Sequence, residues 1–261
     1  MSVKFKFLGT CAVDFSPRLK TDLADRFDMN ARRSSAAIIN DRYLIDCGVH
    51  TLDSLRIAKI PLEGITDVFF THLHDDHFKP EAVAKVAKSK KESLPVWVSP
   101  DGRIGRIENV SPVKLPKCEK TRVDENVFVT ALPANHIGDG GSPRFLLFEI
   151  EGKSILYATD GAWVINESYN YLRGLKRPLD MLVLDCTSGE SGWEYGIGDH
   201  NGIPMIRLML PSFRMVGIID DRTRVYITHI APSLHKPHDE IVEIMKPLGV
   251  EVAYDGLEIE L

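Results

Sequence analysis

Thr71-His72-Leu73-His74-Asp75-Asp76-His77 is the stretch on which the reading of this chain turns. His72, His74, Asp76 and His77 set three imidazoles and a carboxylate close together, an arrangement that wastes solvation unless a cation gathers it. Neutral imidazole and ionised carboxylate are the ligands that zinc, manganese and iron(II) accept. A solvated His-rich loop is the plain alternative, and the H-x-H-x-D-H spacing argues against it. Residues two apart share a face only on an extended chain, so His72 and His74 converge if the backbone is extended there. Asp76 and His77 are adjacent and both face inward only if the chain has begun to curl.

The flanks supply that context. Asp67-Val68-Phe69-Phe70-Thr71 reads as a short buried strand. Pro80 suits a first helical position, and a helix over Pro80–Ser89 follows with an acidic start and a basic end. The motif therefore lies on a strand-to-helix loop, where function concentrates.

Composition bounds the rest. The chain has 261 residues, 44% hydrophobic and 26% charged, the proportions of an ordinary soluble globular protein with ample core. A net charge of −5 argues against a broad basic footprint, so nucleic acid is not an expected partner. Cys11, Cys47, Cys118 and Cys186 are scattered without C-x-x-C spacing and read as reduced thiols. The first residues alternate apolar and polar like a strand, not like a signal peptide. No apolar run approaches membrane-spanning length. A cytoplasmic location and no membrane partner are expected.

No repeat or linker divides the chain, so a single domain over 1–261 is expected. Hairpins are predicted at Asn40-Asp41 and at Glu151-Gly152-Lys153. Further strands are expected at Val96–Val98, Val127–Thr130, Met181–Leu184 and Val225–Thr228. Helices are expected at Thr51–Ala58, around Asn166–Leu172, at Ile203–Leu210 and at Pro237–Lys246. Hairpins early and strand–helix alternation later suggest two sheets with helices on their outer faces. Cys11–Arg33 is polar and reads as a loop over the site.

Several apolar strands end in a polar or metal-compatible group: Asp46, His136, Asp160, Asp185 and His229. Strand ends at one rim of a sheet are where separate segments meet around a ligand. Taken alone, a strand-end Asp is more often a turn former and a lone His a satisfied core or surface residue. The His72–His77 cluster changes that balance, because four ligands cannot complete two metals.

With these residues in place the chain resembles the metallo-β-lactamase superfamily, in which H-x-H-x-D-H is followed by a His, a bridging Asp and a last His. The resemblance implies an α/β fold, a four-layer αβ/βα sandwich. It implies one divalent ion on His72, His74 and His136, a second on Asp76, His77 and His229, and Asp160 between them. Zinc or manganese fits such a thiolate-free set, and iron is an alternative. Asp46 is expected to anchor a ligand rather than to bind metal. Within the superfamily the chain is similar to the cyclic-phosphate phosphodiesterases of phosphonate breakdown, through Phe7-Leu8-Gly9-Thr10, Arg32-Arg33-Ser34-Ser35, Asp199-His200-Asn201 and Val252-Ala253-Tyr254-Asp255-Gly256. Those enzymes often hold an extra zinc on cysteines after the first strand. Residues 12–33 here contain no Cys, and that zinc is not expected.

The implied activity is metal-dependent hydrolysis of a small or cyclic phosphate ester, such as a ribosyl cyclic phosphate. A metal pair roughly 3.5–4 Å apart shares a hydroxide that attacks phosphorus. Asp76 would orient that nucleophile, and His200 would protonate the leaving alkoxide or bind a phosphoryl oxygen. Arg33 and His235 are candidate substrate contacts. The expected partner is a small phosphate ester, with a second copy of the chain as the candidate protein partner. An RNA-processing endonuclease of the same superfamily and a lactone or thioester hydrolase are the rival functions.

Overall fold

The computed structural model describes residues 2–138 and 140–261. The chain divides into two compact units, each assembled from segments that alternate along the sequence. That interleaving explains why no linker marks a boundary.

The first unit spans Ser2–Leu115, Gly138–Ser142 and Tyr254–Leu261. Its strands are β1 (Lys4–Gly9), β2 (Ala36–Ile39), β3 (Tyr43–Ile45), β4 (Asp67–Phe69), β5 (Leu94–Val98), β6 (Val110–Lys114) and β14 (Glu258–Glu260). They form one seven-stranded sheet in the order β14-β1-β2-β3-β4-β5-β6. Pairing is antiparallel from β14 to β3 and parallel from β3 to β6. At the predicted hairpin between β2 and β3, Asn40 and Asp41 both take positive φ, 53° and 55°, as tight hairpin turns require. Helices α1 (Thr51–Ile57) and α2 (Pro80–Lys88) bury Leu55, Val83, Val86 and Ala87 against Ile38, Leu44, Val68 and Val96 of the sheet.

The second unit spans Pro116–Ile137 and Pro143–Ala253. It contains β7 (Thr121–Asp124), β8 (Val127–Pro133), β9 (Arg144–Ile150), β10 (Lys153–Ala158), β11 (Met181–Asp185), β12 (Arg224–Thr228) and β13 (Glu251–Val252). Their order is β13-β12-β11-β10-β9-β8-β7. Here β10 to β13 are parallel and β7 to β10 antiparallel. Helices α3 (Asn166–Gly174), α4 (Ile203–Met215) and α5 (His238–Met245) bury Leu172, Ile206, Leu210, Phe213, Ile241 and Met245 on Leu156, Leu182, Leu184 and Ile227. The helix expected to stop at Leu210 runs through Pro211 to Met215. Pro211 forfeits one backbone bond, but Phe213 beyond it is buried in the core. No helix among the described residues is long and apolar enough to cross a membrane, and all four cysteines are free.

Candidate metal centre

In the first unit, β3 and β4 run parallel and end beside each other, with Asp46 after one and Thr71–His77 after the other. The chain has no regular structure through His74 and then turns, closed by Phe78 N–H donating to the His74 carbonyl (2.8 Å). The turn at Asp75–His77 is the curl that the motif spacing predicts. The His72 ring packs 4.4 Å from both the His74 and His77 rings. Asp46 is fully buried and accepts from the Thr71 N–H (2.9 Å) and hydroxyl (2.9 Å). His77 Nδ1 lies 2.8 Å from its other contact, Asp46 Oδ2. With Nδ1 engaged there, His77 keeps Nε2 for a ligand role, and Nε2 stands 3.1 Å from Asp76 Oδ2. Burial raises the Asp46 pKa, against the opposing charge and hydrogen bond of His77 and the bonds from Thr71.

The second unit repeats the device. Strands β10, β11 and β12 are parallel neighbours, so Asp160, Asp185 and His229 follow one another along a single sheet rim. Asp185 accepts from the Thr187 hydroxyl (2.9 Å) and stands 3.2 Å from His229 Nδ1. His229 Nε2 lies 3.0 Å from Asp160 Oδ2. His136, three residues beyond β8, places Nδ1 2.7 Å from Asp199 Oδ1 and Nε2 3.8 Å from Asp160 Oδ1. Two overlapping donor groups form here among the described residues, Asp160–Asp185–His200–His229 and His136–Asp199–His200.

Asp185 and Asp199 hold histidines as the expected anchor Asp46 does, and neither stands out in the sequence. An Asp after a strand or before a His is too ordinary to stand out. The available signal was position: Asp185 closes an unbroken apolar strand whose parallel neighbour ends in His229. A second feature is invisible in sequence. Asp46, Asp160 and His229 have positive φ of 60°, 49° and 57°, a costly conformation for residues other than glycine that clusters at functional sites.

His200 sits on the loop after β11, its side chain 23% exposed, with Nδ1 3.1 Å from the Thr187 hydroxyl, 3.3 Å from Asp185 Oδ2 and 3.4 Å from Asp160 Oδ1. Its Nε2 is 3.8 Å from Asp199 Oδ2. Burial pulls its pKa down, but the charge and hydrogen bond of Asp185, with the charge of Asp160, outweigh that and leave it raised.

The donor chemistry fits divalent metal. His77, His136 and His229 each have Nδ1 beside a carboxylate and Nε2 facing another carboxylate oxygen. That is how proteins orient histidine ligands, and no thiolate takes part.

The sequence profile of the beta-lactamase superfamily domain matches residues 41–253. The chain belongs to the beta-lactamase superfamily. Its metallo-β-lactamase branch comprises metal-dependent hydrolases, and solved structures agree on the fold. A diphosphatase of the PhnP family is 19% identical, with 100% of this chain and 98% of that one covered at a TM-score of 0.74. The metallo-β-lactamase fold protein YhfI from Bacillus subtilis is 14% identical, with both chains covered at 100% and a TM-score of 0.72. Human tRNase Z, short form, is 19% identical over 99% of this chain and 98% of that one, with a TM-score of 0.67. At these identities the likeness shows the α/β sandwich fold alone. No curated protein matches the sequence.

Two of the expected substrate contacts fall out differently in this superfamily member. Arg33 is 1% exposed, donates to the Leu23 carbonyl (2.6 Å) and lies over the Phe27 ring, while its backbone N–H donates to Asp255 (2.7 Å). The expectation of a phosphate contact there is corrected, because a guanidinium closed to solvent and committed to its own fold cannot meet a substrate. The paired Arg-Arg motif resembles a binding site in sequence only because burial is not written in it. His235 has Nε2 2.8 Å from the Cys186 carbonyl and lines a cavity of about 250 Å3 with Gly189, Ile203 and Lys236. Cys11–Arg33 holds a short 3-10 turn and packs its own small apolar cluster of Leu19, Leu23 and Ala31.

Asp46→Ala removes the acceptor for His77 Nδ1 and for Thr71. Divalent-metal affinity is expected to fall about 10–100-fold, read by competition with a chromogenic chelator. Unchanged affinity would show that His77 needs no such support.

Proposed function

We propose that this hydrolase is a phosphodiesterase of small or cyclic phosphate esters that works with two divalent ions. His72, His74 and His136 would hold one ion and Asp76, His77 and His229 the other, with Asp160 as a further carboxylate ligand. The ions supply Lewis acidity and a water acidic enough to act as a nucleophile near neutral pH. Asp76 would orient the attacking water. His200, held at Nδ1 by Asp185 and Thr187, would give the leaving oxygen its proton from Nε2.

The observation that carries this reading is the placement of His200. An alkoxide leaves poorly without a proton, whereas the thiolate of a thioester leaves without help, so a held and partly exposed imidazole beside Asp160 suits an ester with an alkoxide leaving group over a thioester. The charge and hydrogen bond of Asp185 raise the His200 pKa against the effect of burial, which favours the protonated form. The PhnP-family diphosphatase among the similar structures supports phosphoryl chemistry, and the net charge of −5 favours a small ester over RNA.

The test is metal analysis followed by turnover of bis-p-nitrophenyl phosphate, cyclic nucleotides, cyclic ribose phosphates, lactones, thioesters and a precursor tRNA. Two metal equivalents and preference for a small phosphodiester are expected. Preference for an uncharged ester, or for the tRNA, would replace this function with the corresponding rival.

A further inference from the structure

Three large apolar residues on or bonded to the His200 loop are exposed: Tyr195 is 99% exposed, Ile137 69% and Ile197 44%. Single exposed apolar residues are ordinary. A group of them beside a candidate site marks a binding surface.

Each is linked through the backbone to the loop that carries His200. The Gly196 carbonyl accepts from the N–H groups of both Asp199 and His200, each at 2.8 Å. A Cβ on Gly196 would lie in ordinary contact with the His200 Cβ, at 3.8 Å. Tyr195 is the residue immediately before it, on the 3-10 turn Trp193–Gly196. The Ile197 carbonyl accepts from the Trp163 indole N–H (3.0 Å), and the Trp163 backbone N–H donates to the Asn201 side chain (2.7 Å). Ile137 N–H donates to Asp199 Oδ1 (2.8 Å). Two aliphatic residues and a fully exposed phenol are thereby held within a residue or two of the groups that contact His200.

We infer that Tyr195, Ile137 and Ile197 form an apolar rim that takes a flat, uncharged ring on the substrate, an aryl or heteroaryl substituent of the ester. A phenol with few rotatable bonds loses little entropy on stacking over such a ring, and offset or edge-on contact adds to simple area burial. The branched aliphatic chains flank the ring without competing for its polar edge. Aryl-bearing esters are thus selected over those with a small alkyl group. This selection rests on the phosphodiesterase reading only in naming the substrate as a phosphate ester.

The test measures binding separately from turnover. Phenyl phosphate and methyl phosphate are titrated by calorimetry into the metal-loaded protein, its Tyr195→Ala variant and its Tyr195→Phe variant. Wild type is expected to bind phenyl phosphate about tenfold more tightly than methyl phosphate. That ratio should fall to about one in Tyr195→Ala and be restored in Tyr195→Phe, which keeps the ring. Equal affinities in the wild type, no binding of phenyl phosphate, or a ratio untouched by Tyr195→Ala overturns the rim. Turnover of phenyl and methyl p-nitrophenyl phosphate is then compared. If the ring preference holds in binding but neither diester is cleaved, the phosphodiesterase assignment fails and the rim stands. If both are cleaved without preference and the binding ratio is flat, the rim fails and the activity stands.

Discussion

Replacing His200 by alanine is expected to lower turnover of an alkyl phosphodiester by about two to four orders of magnitude while both metal equivalents stay bound. The size follows from what the imidazole supplies, a proton at the moment the P–O bond breaks. Retention of metal follows from geometry, since His229 Nδ1 keeps Asp185 and Thr187 as partners without it. Two further readouts separate a proton donor from a merely structural histidine. An ester that expels p-nitrophenolate needs no proton, so the same variant should lose at most about tenfold on bis-p-nitrophenyl phosphate. The wild-type rate on an alkyl ester should also fall as pH rises through the His200 pKa, which lies above the ordinary histidine value. That limb is present below the pKa, where Nε2 holds its proton, and lost above it; His200→Ala should lack it. Equal losses on both ester types, with the alkaline limb intact, would leave His200 with no part in proton transfer.

Much of this arrangement was legible in the sequence, and the reason differs by element. The His72–His77 motif was legible because donor chemistry and spacing constrain each other. The strand-end residues Asp160 and His229 followed because apolar runs such as Ile155–Ala158 and Val225–Ile227 announce where a strand stops. The hairpins at Asn40 and Gly152 declared themselves through residues that tolerate positive φ.

What escaped is equally physical. Strands β6 and β7 are sheet-edge strands with largely exposed side chains, and β6 carries Pro112, so neither shows a buried alternation. Strand β13 has two residues and cannot show any period. Arg33 was misread because its partner Asp255 lies far along the chain and closes the same unit from the C-terminal end. Long-range pairing of this kind leaves no local trace. Asp185 and Asp199 share that property, since each matters only through the histidine that folding brings to it.

Gly48→Ala is the substitution with the largest expected effect on folding, about 3–5 kcal/mol in chemical denaturation. Gly48 is two residues beyond Asp46, where the backbone crosses the ligand loop. The Cys47 N–H donates to the His77 carbonyl (2.8 Å) and the Lys79 N–H donates to the Cys47 carbonyl (2.9 Å). Those bonds draw the two segments so close that a Cβ on Gly48 would overlap the carbonyl of Asp76, with the Ser34 hydroxyl 3.1 Å away. Backbone cannot rotate aside as a side chain can, so either the ligand loop moves or the two bonds break. Because Asp76 and His77 are the residues displaced, metal content should fall together with stability, measured by elemental analysis of whatever fraction folds. Gly174→Ala is the matched control, for no atom lies within 4 Å of a Cβ there and the position ends α3. It should be neutral or stabilise by about 0.4–1 kcal/mol, as expected when a glycine with ordinary φ is stiffened. A Gly48→Ala protein as stable and as fully metallated as the control would mean that the ligand loop is not braced by the strand-end backbone, and that His72–His77 hold their geometry unaided.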